Sequence, residues 1–166
     1  MAIYFFRKNG EIMNKKYYIA YGSNLNVNQM KKRCPSARII GISNIQNYEL
    51  LFKGSKTGYY LTIEPKVGES VPVAVWETTV EDEKALDCYE GFPVFYDKTE
   101  MILPVKEIQT GKVKNRKGYV YIMNQNRPCG IPDPYYVNTC MEGYLYFGFD
   151  TKILKKAIEK SKRNEK

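Results

Sequence analysis

Short apolar runs rich in Val, Ile, Tyr and Phe, each bounded by Gly, Pro, Asn or Lys, recur along the chain. They predict β-strands near 17–21 (YYIAY), 48–52 (YELLF), 59–63 (YYLTI), 72–76 (PVAVW), 100–105 (EMILPV) and 118–123 (GYVYIM). The segment FKGSKTGYY between the second and third reads as a hairpin loop. Helical spacing marks other segments. Asn26 caps a helix over Val27 to Cys34, with Gln29 in the capping-box position and Pro35 as its stop. Thr78 and Glu81 have capping-box spacing at the head of a second helix, which ends at Glu90 before Gly91 and Pro93. Asp150 caps DTKILKKAIEKSK, which turns Ile153, Leu154, Ala157 and Ile158 inward and its lysines outward. A further helix is expected within 135–146. This order of elements gives an α+β protein with a mostly antiparallel or mixed sheet, which a small closed barrel would accommodate.

Composition adds limits. At 166 residues, 43% apolar and 14% aromatic, with 15 Tyr against one Trp, the chain is long and apolar enough for one self-sufficient core. No apolar run approaches the ~18 residues of a membrane helix. The N-terminus MAIYFFRKNGEIMNKK lacks the features of a secretory signal, so a cytoplasmic location is the expectation. Met13 directly precedes Asn14-Lys15-Lys16 and the first strand, which makes residues 1–12 read as an added extension, the product of an early start codon, or an extra edge strand. The expected division is an N-terminal extension over 1–16, one domain over 17–150 and a basic C-terminal helix and tail over 151–166.

The four Cys, at 34, 88, 129 and 140, form no CxxC pair and are expected as free thiols. Histidine is absent altogether. That excludes Ser-His and Cys-His nucleophile pairs, histidine bases and most transition-metal sites, and leaves proton transfer to carboxylates, Tyr, Lys or Cys. The formal net charge is +8, and residues 152–166 supply seven Lys/Arg against two Glu.

Three stretches are candidates for chemistry. In YYIAYGSNLNVNQM the strand breaks at Gly22 into a polar cluster and a capped helix. Free N–H groups at such a junction favour an anion, although the stretch alone fits a plain strand-to-helix turn better. In LDCYEGFPVFY, Glu90 ends a helix among Tyr89, Phe92, Phe95 and Tyr96. Exposed carbonyls and aromatic shielding would both raise its pKa toward that of a general acid or base, while a solvated Glu before a Gly stop is the commoner case. In PCGIPDPYYVNTCMEG, three Pro order a loop beside Tyr135 and Tyr136, which serve either a ligand or the core.

Taken together the three stretches resemble the gamma-glutamylcyclotransferase-like family (AIG2-like, BtrG-like). YGSNLN at 21–26 is similar to its Tyr-Gly-Ser-Asn-Leu signature, LDCYEGFPVFYDK at 86–98 to its Leu-Asp-x-x-Glu-Gly segment followed by Tyr, and PDPYYVNTCMEG to its later Pro-Ser-x-x-Tyr then Gly pattern, with Asp133 in the serine's place. The resemblance implies a small mixed β-barrel with surrounding helices. It implies a substrate, a gamma-glutamyl amine or peptide, whose α-amine attacks its γ-carbonyl to release 5-oxoproline and a free amine. Glu90 would be the general base and acid. Tyr21, Gly22, Ser23, Asn24, Leu25, Tyr96 and Tyr136 would bind substrate, with backbone N–H groups from Gly22 to Leu25 on its α-carboxylate. No metal or cofactor is implied. A competing reading is a nucleic-acid-binding or interaction module using the basic tail and VKEIQTGKVKNRKG. Those charges fall on a helix face and a loop, as on any solvated surface, so the enzyme ranks well above it. The residues give no oligomeric state.

Overall fold

The computed structural model describes residues 5–6, 12–13 and 15–163. Its centre is a closed five-stranded barrel in the order β3-β5-β4-β6-β7. The strands are β3 (Lys16–Ala20), β4 (Arg38–Ser55), β5 (Gly58–Thr78), β6 (Tyr96–Glu107) and β7 (Val113–Met123). All neighbours run antiparallel except β3 and β7, whose parallel pairing, Tyr17 with Gly118 and Tyr18 with Tyr119, closes the ring. Upstream, β1 (Phe5–Phe6) and β2 (Ile12–Met13) pair as a separate two-stranded sheet, so the edge strand expected from 1–12 does not join the barrel. The rest of the proposed extension up to residue 14 lies outside the described residues.

Around the barrel lie α1 (Val27–Arg33), α2 (Val80–Glu90), α3 (Pro134–Phe147) and α4 (Thr151–Arg163). No helix among the described residues is long and apolar enough to cross a membrane. Leu154 and Ala157 of α4 enter the main core, so the basic helix is part of the body. Two of its lysines are neutralised internally: Lys156 pairs with Glu69 and Lys160 with Glu49.

Three expectations need correction. The strands expected at 48–52, 59–63 and 72–76 are parts of one long hairpin, turning at Lys56-Thr57 between Ser55 and Gly58. Its first half, 38–46, was not predicted, because the inward positions there include Gly41 and Ser43, whose small or polar side chains interrupt the apolar alternation. The capping box of α2 lies one residue further on, at Thr79 and Asp82. Thr79 Oγ1 accepts from Asp82 N–H at 3.2 Å and Asp82 Oδ2 from Thr79 N–H at 2.9 Å. Thr78 belongs to β5, where its hydroxyl bonds that of Tyr119 at 2.8 Å. In α1, Asn26 accepts from Gln29 N–H as expected, but Gln29 does not reach back; its Oε1 accepts from Arg33 instead.

The end of β3 passes through Gly22 into a single 3-10 turn, Ser23–Leu25, before α1. Helix α3 presses directly on this turn. A Cβ added at Gly143 would stand 2.5 Å from Leu25 Cβ and 2.7 Å from its carbonyl carbon. Asn26 Nδ2 ties the same turn to Thr139 O and Glu142 Oε2 of α3. Gly143→Ala is therefore expected to push α3 off the turn and to lower unfolding free energy by about 1–3 kcal/mol, read by urea denaturation. Unchanged stability would mean that the contact is not tight.

Candidate active site

The turn after β3 and the end of α2 meet over one end of the barrel. Leu86, fully buried, anchors α2 in the core, and Gly91 ends it in the left-handed conformation, φ 65°. The helix thus delivers Glu90 on its last turn, where Asn24 Nδ2 donates to Glu90 Oε1 at 3.3 Å. A cavity of about 480 Å³ opens beside them.

Of the residues singled out from the sequence, Tyr21, Gly22, Ser23, Asn24, Glu90, Tyr96 and Tyr136 line this cavity. They come from five separate elements or junctions. A Cβ added at Gly22 would rest in ordinary contact with Tyr136 Oη and Leu61 Cβ, each 3.5 Å away. Between the two adjacent tyrosines the structure separates the roles, since Tyr135 is 74% exposed. Asp133, in the position of the usual serine, caps α3 by accepting from Tyr135 N–H at 2.8 Å.

Leu25 does not fit its expected place. It is fully buried against α3, outside the cavity lining, and its N–H donates to Gly22 O at 3.0 Å. The donors that a 3-10 turn leaves without a partner inside the turn are those of Ser23 and Asn24. The aromatic shield also differs from expectation. Phe95 and Tyr96 line the cavity, and so does Tyr89, 43% exposed at its edge, whereas Phe92 turns away beneath Lys98 Nζ, 4.6 Å from its ring centroid.

Sequence reasoning missed Tyr18, Tyr60, Leu61 and Tyr121 in the cavity wall, and Arg33 behind it. The strand predicted over 17–21 already placed Tyr18 beside the site, and the hairpin FKGSKTGYY contained Tyr60. Tyr60 packs edge-on against both Phe95 and Tyr136, with ring centroids 6.0 and 5.1 Å apart.

The hydroxyl protons of the wall are not equivalent. Tyr21 gives its proton to Tyr121 O at 2.6 Å, Tyr96 to Leu61 O at 2.8 Å and Tyr121 to Asp87 Oδ1 at 2.6 Å. Tyr18 and Tyr136 instead accept, from Asn24 Nδ2 at 2.9 Å and Leu61 N–H at 3.1 Å. Each therefore keeps a proton to donate, for which the buried thiol of Cys140 beside Tyr136 is only a weak acceptor. Burial pushes the phenols of Tyr18, Tyr21, Tyr96 and Tyr136 well up, so they remain neutral donors.

Glu90 keeps a partial opening to solvent, but burial of its carboxyl among these rings raises its pKa from 4.5 to about 7, and the nearby positive charge of Arg33 opposes the rise. A carboxyl poised near neutrality exchanges a proton readily in either direction. No cluster of three or more His, Cys, Asp or Glu able to hold a metal occurs among the described residues.

Comparison with known proteins identifies the family. Residues 18–138 match the family model "Gamma-glutamyl cyclotransferase, AIG2-like". A gamma-glutamylcyclotransferase from Bos taurus is 29% identical over 149 residues, covering 84% of this chain and 75% of that protein. Among solved structures, an uncharacterized protein from Homo sapiens superposes with a TM-score of 0.72 at 27% identity, covering 86% of each chain. A gamma-glutamyl cyclotransferase does so at 0.71 and 24% identity, covering 87% of this chain and 86% of that one, and so shares the barrel fold. The chain belongs to the gamma-glutamyl cyclotransferase, AIG2-like family.

Proposed function

We propose that the cavity converts a gamma-glutamyl amine or peptide into 5-oxoproline and a free amine. The observation that carries this reading is one carboxyl, Glu90, held near neutrality in the same cavity as the turn from Tyr21 to Asn24. Family membership supports the reaction class.

The substrate's α-carboxylate would lie against the N–H groups of Ser23 and Asn24. Its side chain would fold so that the α-amine meets the γ-carbonyl, and holding that contact supplies most of what a five-membered ring closure needs. Ionised Glu90 takes a proton from the α-ammonium, and the freed amine attacks the γ-carbon. The hydroxyl of Tyr136, whose oxygen already accepts from Leu61 N–H, is the donor best placed to stabilise the developing oxyanion. Protonated Glu90 then gives its proton to the leaving nitrogen as the old C–N bond breaks. The ring nitrogen loses its second proton to become an amide, and that proton ends on the released amine. An ammonium enters and an ammonium leaves, so no net proton is consumed.

Glu90→Gln is expected to lower kcat by about 10²–10⁴-fold, with 5-oxoproline from a panel of gamma-glutamyl dipeptides and amines followed by mass spectrometry. Full activity of this variant would remove Glu90 from the mechanism, and no product across the panel would remove the reaction. Because the base is the ionised form, kcat/KM should rise with pH through about 7.

The same shift has a stability consequence. Glu90 is raised from 4.5 to about 7 on folding, so its contribution is most favourable below 4.5 and is lost as pH rises through 7. Glu90→Gln should therefore melt above the parent at pH 8, by an amount worth up to about 3 kcal/mol, with the gap narrowing toward pH 5. A gap independent of pH would show that Glu90 is not held near neutrality.

A further inference from the structure

Arg33 lies on the last turn of α1, outside the cavity lining, yet its guanidinium reaches two residues of the wall. Nη1 donates to Asn24 Oδ1, and the plane of the group covers the Tyr89 ring with its carbon 3.5 Å from the centroid. Nη2 donates to Gln29 Oε1 at 3.0 Å, one turn earlier on the same helix, which fixes the direction of the fork. Tyr89 in turn shares a 3.0 Å hydrogen bond between its hydroxyl and Ser23 Oγ.

A carboxamide has one accepting and one donating end, and the two are nearly alike in shape. A guanidinium has no acceptor, so it can pair only with Oδ1 of Asn24. The amide is thereby obliged to present Nδ2 on its other side, where it donates to Tyr18 Oη and Glu90 Oε1. The reversed amide would set Nδ2 against the guanidinium at any pH and Oδ1 against the carboxylate whenever Glu90 is ionised, and both contacts would be repulsive.

We propose that Arg33 is a positioning residue of this site: it locks the rotation of Asn24 and the place of Tyr89, so that a donor always faces the Glu90 carboxyl. The functional part of this inference rests on the reading of Glu90 as proton carrier. The groups that face the carboxyl are Tyr18 and Tyr21 from β3 and its end, Asn24 from the turn, Arg33 from α1, Tyr96 from β6 and Tyr136 from α3. Of these only Arg33 carries a charge near neutral pH, and it favours the ionised carboxylate that burial disfavours. Removing it withdraws that charge and frees the amide to turn.

The absence of histidine makes a direct test feasible, since no imidazole titrates near pH 7. Carbon-13 labelling of glutamate carboxyls lets NMR follow Glu90 through a pH titration, with Glu90→Gln assigning its resonance. Arg33→Met is expected to raise the Glu90 midpoint by about one pH unit and to lower kcat at pH 7 with little change in KM. Arg33→Gln is the second uncharged variant should the first not fold. Arg33→Lys keeps the charge without the fork, so it should titrate closer to the parent and still turn over more slowly. A midpoint unmoved in the folded uncharged variants overturns the inference, whatever happens to turnover. A midpoint that rises in protein with no activity toward gamma-glutamyl substrates upholds the coupling of Arg33 to Glu90 and removes only the reaction, whereas Arg33→Lys turning over as fast as the parent overturns the positioning.

Discussion

Closure of the barrel by the parallel pairing of β3 with β7 is the constraint on which the site depends. Only Tyr17 and Tyr18 find partners across that seam, at Gly118 and Tyr119, while the other edge of β3 is zipped to β5 from Lys16 to Ala20. With both edges held, β3 has one exit, past Tyr21 and Gly22. There α3 meets it so closely that Gly143 has no room for a side chain. The turn that follows is thus fixed from below by the sheet and from outside by a helix. This is how a three-residue 3-10 turn, with little regular structure of its own, acquires a definite direction for its remaining N–H groups.

The second ingredient is a carboxyl placed where water is scarce. Unpaired burial of a full charge would be costly, and the fold meets that cost only in part. One amide N–H and one arginine outside the wall offset some of the desolvation, leaving Glu90 between its two protonation states. The acidic residues one and two turns earlier on α2 behave differently. Glu83 and Asp87 share Lys98, and Glu83 also meets Lys16, so that Glu83 is held below its usual range. Two carboxyls seven residues apart on one short helix are thus held differently, Glu83 lowered by its lysines and Glu90 poised by burial.

Much of this was legible in the sequence because the features concerned are local. The caps at Asn26 and Asp150, the Gly91 stop and the presence of a hairpin loop within FKGSKTGYY each depend on a few adjacent residues, whereas its tight turn at Lys56-Thr57 emerged only from the structure. The Thr78-for-Thr79 slip shows the limit of that locality. Two threonines in a row offer two boxes, and the choice is made by Tyr119, which takes the first hydroxyl, and by Ser36, which bonds the Asp82 carboxylate at 3.0 and 3.1 Å. The first half of β4 was hidden because Gly41 and Ser43 face inward, an environment set by the neighbouring strand β6; Ser43 Oγ donates to Pro104 O there. Arg33 carried no local signal beyond a basic residue at a helix end. Its partners in the cavity wall lie nine and fifty-six residues away, and the second, Tyr89, becomes a neighbour only once α1 and α2 have packed.

The two tyrosines that grip Leu61 have a consequence for how such a pocket can diverge. Tyr96 holds the carbonyl of that peptide unit's residue and Tyr136 its N–H, so one backbone position in β5 is clasped from β6 and from α3. Loss of the Tyr96 hydroxyl would release β6 from this point of β5 and loss of the Tyr136 hydroxyl would release α3, which ties both positions to the fold as well as to any chemistry. Tyr60 and Phe95 make ring contacts with each other and with these tyrosines. Evolutionary change in what the cavity admits therefore has an easier route through Tyr60 and Phe95, where a new side chain alters the shape of the chamber while the clasp on β5 stays intact.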